Sequence, residues 1–373
     1  MTQDSERIPG MRQNTSWGLA IQSSWAIPLV LSCLGILMIS SVTAQLTISQ
    51  ERTPFFYGLR QIKWLVIGLG AMIICTLPSL RFWEKWSGVI WFGALFLMIL
   101  TLLPGIGRFA GGSSRWVRLG PFSVQASEVM LLAFAIHLSK KLKEPGLNRK
   151  MAMARVLLLF GFSAWPFLFQ PDLGGAIILF ALAMGIYVQV FGWMLPLFTG
   201  AAAALVLFFP VVLLSKYRLE RIFTFLNPWS DPLGSGFQTI QGFVAFANGG
   251  IFGVGIGHGL QKLQYLPAAH TDFIFAVIGE ELGIVGTFSV VLLFGAFLVL
   301  QYLSYISLKD GLEATLVWAL TLTIFIPFLV NIGGVLRLMP LTGVSLPFVS
   351  YGGSSLVLNW CKVGILIRLM RKN

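Results

Sequence analysis

This chain has little charge. Acidic and basic residues make up only 11% of its 373 positions, 14 Asp and Glu against 26 Lys and Arg, where a soluble domain carries about a quarter. So few charges argue against a soluble globular protein. Cysteine and histidine are scarcer still, at three each. Cys33, Cys75 and Cys361 lie inside apolar stretches without metal or redox spacing, which argues against a disulfide framework, zinc site or thiol redox centre. They read as packing residues. His137 and His258 belong to no ligand cluster and read as structural.

What the chain has instead is apolar length: 56% of it is hydrophobic. A membrane helix needs roughly 20 mainly apolar residues, and about ten such runs can be drawn, at 25–44, 64–77, 89–103, 124–138, 156–169, 174–190, 197–214, 284–303, 314–332 and 356–369. Several are short, so their ends should run into the flanking residues. They are continuous rather than alternating, which favours helices over a barrel. The expectation is an all-α, polytopic membrane protein with a tail at 1–24, a single membrane domain over 25–373, and a large loop between the seventh and eighth helices. The first run is longer than a signal-peptide core and reads as a retained helix.

Placing the N-terminus in the cytoplasm puts just over half of the Lys and Arg on that side, including Lys140, Lys141, Lys143, Arg149, Lys150 and Arg155, the strongest positive-inside signal in the chain. Both termini are then cytoplasmic. A surplus of cations remains outside, among them Arg115, Arg218, Arg221 and Lys262. They fit snorkelling near helix ends, or facing an anionic lipid substrate, since Arg and Lys are natural partners of phosphate oxygens. With most of the chain in lipid, nucleic acid is not an expected partner.

Three polar, Gly- and Pro-rich segments fall on the external side in this topology, at about 104–123, 215–271 and 333–355. The glycines between Gly249 and Gly259 lack the strand-to-helix setting of a nucleotide loop, and no Gly-Lys-Ser/Thr follows. They suit either backbone approach to a phosphate or sugar, or tight helix packing.

Longer motifs carry a specific resemblance. Asn227-Pro228-Trp229-Ser230-Asp231-Pro232-Leu233-Gly234-Ser235-Gly236-Phe237-Gln238, Gln241, Lys262 and the run from Leu266 through His270-Thr271-Asp272 to Glu280-Glu281-Leu282-Gly283 resemble the central signature of the SEDS (FtsW/RodA/SpoVE) family. Ser114-Arg115-Trp116, Gln170-Pro171-Asp172-Leu173-Gly174 and Ser350-Tyr351-Gly352-Gly353-Ser354-Ser355 resemble further family motifs, and the wording around 234–281 is nearer the division branch than the elongation branch. The resemblance implies a bacterial inner-membrane glycosyltransferase at the division septum, extending glycan strands from lipid II with undecaprenyl pyrophosphate as leaving group. It also implies a class B penicillin-binding protein and other division proteins as partners.

Three departures stand out. Gln125-Ala126-Ser127-Glu128 is followed by Leu131 where the family usually has Lys, Gly175 stands where Thr is common, and Ala268 where Glu is common. Without Lys at 131, either another cation compensates or Glu128 stays protonated.

Such a reaction needs a base for the attacking sugar hydroxyl, cations for the departing pyrophosphate, and a groove open to lipid. Asp272, where a long polar segment meets an apolar helix, is the expected base, against the simpler reading of a helix N-cap. Arg115, Arg218, Arg221 and Lys262 are the expected pyrophosphate partners, with Gln238 and Gln241 beside them and His270, Thr271, Glu281, Ser350, Tyr351 and Ser354 completing the substrate site. Glu128, Asp172 and Asp231 are further candidates, although the prolines beside both aspartates suit simple turns equally well. Glu280 and Glu281 lie too far along a helix to share a proton with Asp272 and suit structural or headgroup contacts. A divalent cation, Mg²⁺ or Mn²⁺, is compatible with the chemistry; no organic cofactor is expected. A lipid II flippase and a non-catalytic division scaffold are the alternatives. A flippase should place its polar groups near the bilayer midplane, whereas the densest motifs here lie in loops.

Overall fold

The computed structural model describes residues 23–49, 51, 53–110, 113–120, 122–203, 216–261, 266–309 and 311–371. Within the described residues each apolar run maps to a helix: α1 (Ala26–Ser49), α2 (Phe56–Cys75), α3 (Leu80–Leu100), α4 (Ala126–Leu142), α5 (Arg149–Phe169), α6 (Leu173–Phe191), α7 (Met194–Ala203), α10 (Ile274–Ser307), α11 (Leu312–Val335) and α12 (Gly353–Met370). Eight of these are long and apolar enough to cross a membrane. The others are α4, at 17 residues, and α7, whose run continues into 204–215, outside the described residues. The tail before residue 23 also lies outside them. Helix ends extend past the apolar runs, as expected. α5, for example, starts about two turns early because Asn148 caps it, its Oδ1 accepting from Met151 N at 2.9 Å.

Two stretches expected as loops are structured. Three strands, β1 (Gly107–Ala110), β2 (Ser113–Leu119) and β3 (Phe122–Gln125), form an antiparallel sheet, with Trp116 opposite both Arg108 and Gln125. The sheet is small, and the all-α, polytopic fold class holds. Trp116, Val117 and Val124 favour strands, but the strands are too short to show a period in the sequence. The segment from 215 to 271 carries α8 (Lys216–Leu226) and α9 (Phe237–Gly249), joined through a 3₁₀ turn at Pro228–Ser230.

Two apolar cores build the bundle. One gathers α1, α2, α10 and α12, and the other α3, α4, α5 and α6, with α4 and α11 contributing to both. Lipid offers no hydrophobic drive for helices to associate, so close approach and hydrogen bonding must hold them. At the crossing of α9 and α10 a Cβ on Gly249 would lie 1.9 Å from Gly279 O, which leaves room for glycine alone.

The long helix α10 is broken at Gly283, which takes φ 68°, ψ −162°. The break frees backbone groups that lipid cannot satisfy, and the glycine-rich run supplies their partners. Val254 N donates to Glu280 O and Gly255 N to Glu281 O, both at 3.0 Å, while Ile284 N and Val285 N donate back to Gly250 O and Ile251 O at 3.0 and 3.1 Å. The fully buried Glu280 carboxyl accepts from Leu260 N (3.0 Å), Gln261 N (3.2 Å) and Asn248 Nδ2 (3.3 Å). Of the two uses the sequence allowed for these glycines, the described ones serve packing.

Candidate active site

Asp272 sits in a tight turn that ends as α10 begins. Ala268, at φ 53°, turns the chain so that its carbonyl accepts from Thr271 N (3.0 Å), Thr271 Oγ1 (3.2 Å) and Phe273 N (3.3 Å). The N-cap of α10 is Phe273, with no side-chain cap. The capping role weighed for Asp272 is therefore not the one it plays, and its carboxylate is left for other work.

Neighbouring elements fix the backbone on both sides of it. Asn331 Nδ2, near the end of α11, donates to Asp272 O (2.8 Å) and Val344 O (2.7 Å). Ser350 Oγ donates to Thr271 O (2.6 Å) and accepts from Leu346 N (2.8 Å), and Tyr351 N donates to His270 O (2.9 Å). Two motifs about eighty residues apart are thus laced together. The rings of Tyr57, His270 and Tyr351 close the cluster with centroids 5.3–5.9 Å apart. Desolvation holds the His270 imidazole below its ordinary pKa and, outweighing the nearby Arg60, pushes the Tyr351 phenol up.

Two cations face the carboxylate from other elements. On β2, Arg115 donates from Nη1 to Gly343 O (3.3 Å) and pairs through Nη2 with Asp172 Oδ1 (3.1 Å). On α8, Arg221 donates from Nη1 to Leu341 O (2.9 Å). Gly343, at φ 69°, lies between the carboxylate and the guanidinium: a Cβ there would be 3.4 Å from Asp272 Oδ2 and 3.7 Å from Arg115 Nη1. Burial pushes the Asp272 carboxyl above the usual range, and Arg115 and Arg221 pull it partly back. The carboxylate is thus held between desolvation, which favours its protonated form, and two guanidinium groups, which favour its charged form.

Beside it lies a cavity of about 170 Å³ lined by Arg221, Thr224, Gln238, Thr239, Arg337 and Leu341, among others. Gln238 Nε2 donates to Pro267 O at 3.1 Å, and Gln241 follows about one turn on along α9.

The structure thus brings together Asp272, Arg115, Arg221, Asp172, His270, Thr271, Ser350 and Tyr351, with Gln238 close by. Asp172 has a double role, capping α6 through Gly175 N at 2.9 Å while it anchors Arg115. Gly175 is small for a reason: a Cβ there would meet Phe167 Cε1 at 2.4 Å. Ser354 Oγ accepts from Gln125 N (3.3 Å) and ties α12 to the end of β3.

Other expected members stand apart. Glu281 is fully buried, and its carboxyl takes Ser41 Oγ of α1 at 2.7 and 2.8 Å, so it faces a helix contact rather than the cavity. Asp231 is exposed and closes a turn, accepting from Gly234 N and Ser235 N at 3.1 and 2.7 Å, bonds that hold its carboxyl below the ordinary range. Glu128 is buried under α12, where Lys362 Nζ reaches it at 3.4 Å; a cation compensates for Leu131. Lys262 and the Arg218 side chain lie outside the described residues.

Sequence reasoning missed Asn331 and Arg337. A lone amide in an apolar helix is a signal, since polar groups in lipid are costly. Arg337, at φ 56°, donates to Phe225 O (2.8 Å) and Leu226 O (2.6 Å), closing the C-terminus of α8 over the cavity.

These features define a class: a polytopic helical membrane protein with a desolvated acid, flanked by arginines, where a long polar segment meets a membrane helix. The match to known proteins is specific. Residues 22–373 fit the cell cycle protein family FTSW_RODA_SPOVE, and the chain belongs to that family. It is 36% identical over 352 residues to a probable peptidoglycan glycosyltransferase FtsW of Thioalkalivibrio sulfidiphilus, covering 92% of this chain and 88% of the relative. It is 38% identical over 354 residues to the stage V sporulation protein E of Bacillus subtilis, covering 92% and 95%. In three dimensions it superimposes on a chain of a peptidoglycan synthase complex that coordinates polymerization and crosslinking, with TM-score 0.76 and 27% identity, covering 93% of this chain and 97% of that one.

Proposed function

We propose that this protein is a peptidoglycan glycosyltransferase that polymerises lipid II, with Asp272 as its general base. The observation that carries the assignment is the Asp272 carboxylate, desolvated, facing Arg115 and Arg221, and free of any helix-capping duty. In the reaction a sugar hydroxyl of one chain attacks the anomeric carbon of another. The bond from that carbon to the pyrophosphate oxygen breaks, the hydroxyl proton passes to Asp272, and undecaprenyl pyrophosphate leaves with the bonding electron pair. Arg115 and Arg221 supply charge for the leaving oxygens, and Gln238 supplies an amide donor at the cavity wall.

No three His, Cys, Asp or Glu side chains converge among the described residues. A bound Mg²⁺ or Mn²⁺ would therefore take Asp272 as its protein ligand and most of its oxygens from pyrophosphate and water, adding positive charge at the leaving group.

The protein acts in the inner membrane at the division septum, beside a class B penicillin-binding protein and other division proteins. The site face is extracytoplasmic and the basic face, around Lys140 to Arg155, cytoplasmic. A reporter fused after Lys143 is expected to behave as cytoplasmic and one near Ser235 as extracytoplasmic; the inverse pattern would place the site on the wrong side for lipid-linked strand growth.

The assignment is tested by reconstituting the purified protein with its transpeptidase and labelled lipid II and scoring polymer. The same assay has a pH signature. The base must be deprotonated, and burial raises its pKa, so activity should fall with acid at a midpoint above the ordinary carboxylate range. Arg115 lowers that pKa, so Arg115→Gln should move the midpoint to higher pH. An unmoved midpoint would detach Arg115 from the base.

A further inference from the structure

Lys362 is fully buried in α12, and a charged side chain in that setting is rare without a task. All three of its donors are used. Nζ meets Glu128 Oε2 at 3.4 Å, Asn359 Oδ1 at 2.9 Å and Thr323 O at 3.3 Å. The last acceptor has a local cause: Thr323 O, in α11, would ordinarily bond the N–H four residues on, but that residue is Pro327, which has none. Lys362 thus satisfies a carbonyl that the proline leaves open within the bundle. Glu128 is also held through Oε1, which accepts from Ser355 Oγ at 3.1 Å.

The three helices joined at this lysine each lead to Asp272. Glu128 begins α4 directly after β3, and β3 pairs with β2, which carries Arg115. On α11, Asn331 lies two turns beyond Thr323 and grips Asp272 O. α12 follows Ser350 and Tyr351, which hold the Thr271 and His270 carbonyls. Loosening the junction would let the base, the guanidinium and their backbone supports drift apart.

We infer that Lys362 is a positioning residue, a cation relocated to α12 that clamps α4, α11 and α12 so that Arg115 and Asp272 keep their register. Leu131, also buried, lies three residues after Glu128 on α4, a spacing at which a lysine reaches the same carboxylate. The function of the clamp can therefore be separated from its address.

The test uses the full chain with its transpeptidase and labelled lipid II, and its activity arm rests on the polymerase reading above. Lys362→Met should lower kcat at least tenfold with KM within threefold, and should lower the melting temperature. Adding Leu131→Lys should bring kcat back to within threefold of wild type and restore melting. If Lys362→Met does not fold, Glu128→Gln removes the charge pair while keeping a partner for Ser355, and should show the same kcat loss. A kcat within threefold of wild type in either single variant would overturn the inference. So would a Lys362→Met/Leu131→Lys protein that melts like wild type yet stays inactive. A wild type that makes no polymer would count against the polymerase reading instead. Melting alone then decides: recovery by Leu131→Lys supports the relocated clamp, and its absence overturns it.

Discussion

Asp272→Asn should reduce glycan polymerisation by on the order of 10² to 10⁴, the usual consequence of losing a positioned general base, while leaving the protein folded. Asn has nearly the same volume, and the backbone carbonyl that Asn331 grips is untouched. Since Phe273 rather than Asp272 caps α10, the change removes no helix-capping bond. What the amide cannot do is accept the sugar hydroxyl's proton or oppose Arg115 and Arg221 with charge. Melting temperature and retention of the transpeptidase should match wild type. A parallel loss of both would mean that the carboxylate serves the fold.

Glu280→Ala should act on the opposite axis, destabilising the protein by about 3 kcal/mol or more. Its carboxyl is the shared acceptor for Leu260 N, Gln261 N and Asn248 Nδ2, and each buried donor left without a partner costs about 1–3 kcal/mol. Leu260 and Gln261 belong to the same glycine-rich run that satisfies the broken backbone of α10 at Gly283, so the loss should spread to α9 and α10. Thermal unfolding in detergent or nanodiscs measures it. Asp231→Ala, at an exposed turn, gives the contrast and should leave the melting temperature close to wild type. Equal effects would show that the 250–261 run is not anchored through Glu280.

How much of this was legible in the sequence follows from the range of each interaction. The spans were legible because lipid demands long apolar runs, and Asp272 stood out as a candidate because it lies where such a run meets a polar segment. The sheet over 107–125 was not, since its strands are too short for a period to show. The break at Gly283 was hidden because its backbone partners come from the 250–255 run, which no local pattern links to it. Glu281 illustrates the limit most clearly: a carboxyl in a family-like motif beside Asp272 turns instead to Ser41 of α1, and only the packing of α1 against α10 decides that. The same holds for Lys362, a single charge in an apolar span whose partners Glu128 and Thr323 come from α4 and α11 and are linked to it by no local pattern.

One measurement bears most directly on the claim that this chain builds glycan through Asp272. Wild-type and Asp272→Asn proteins, each with the transpeptidase and at matched amounts, are reconstituted into vesicles with labelled lipid II, and both polymer length and lipid II translocation are scored over time. Polymer from wild type, none from Asp272→Asn, and equal translocation in the two would be the expected outcome. Activity of the variant within a few-fold of wild type would take Asp272 out of the chemistry, and translocation without polymer in wild type would make the protein a flippase.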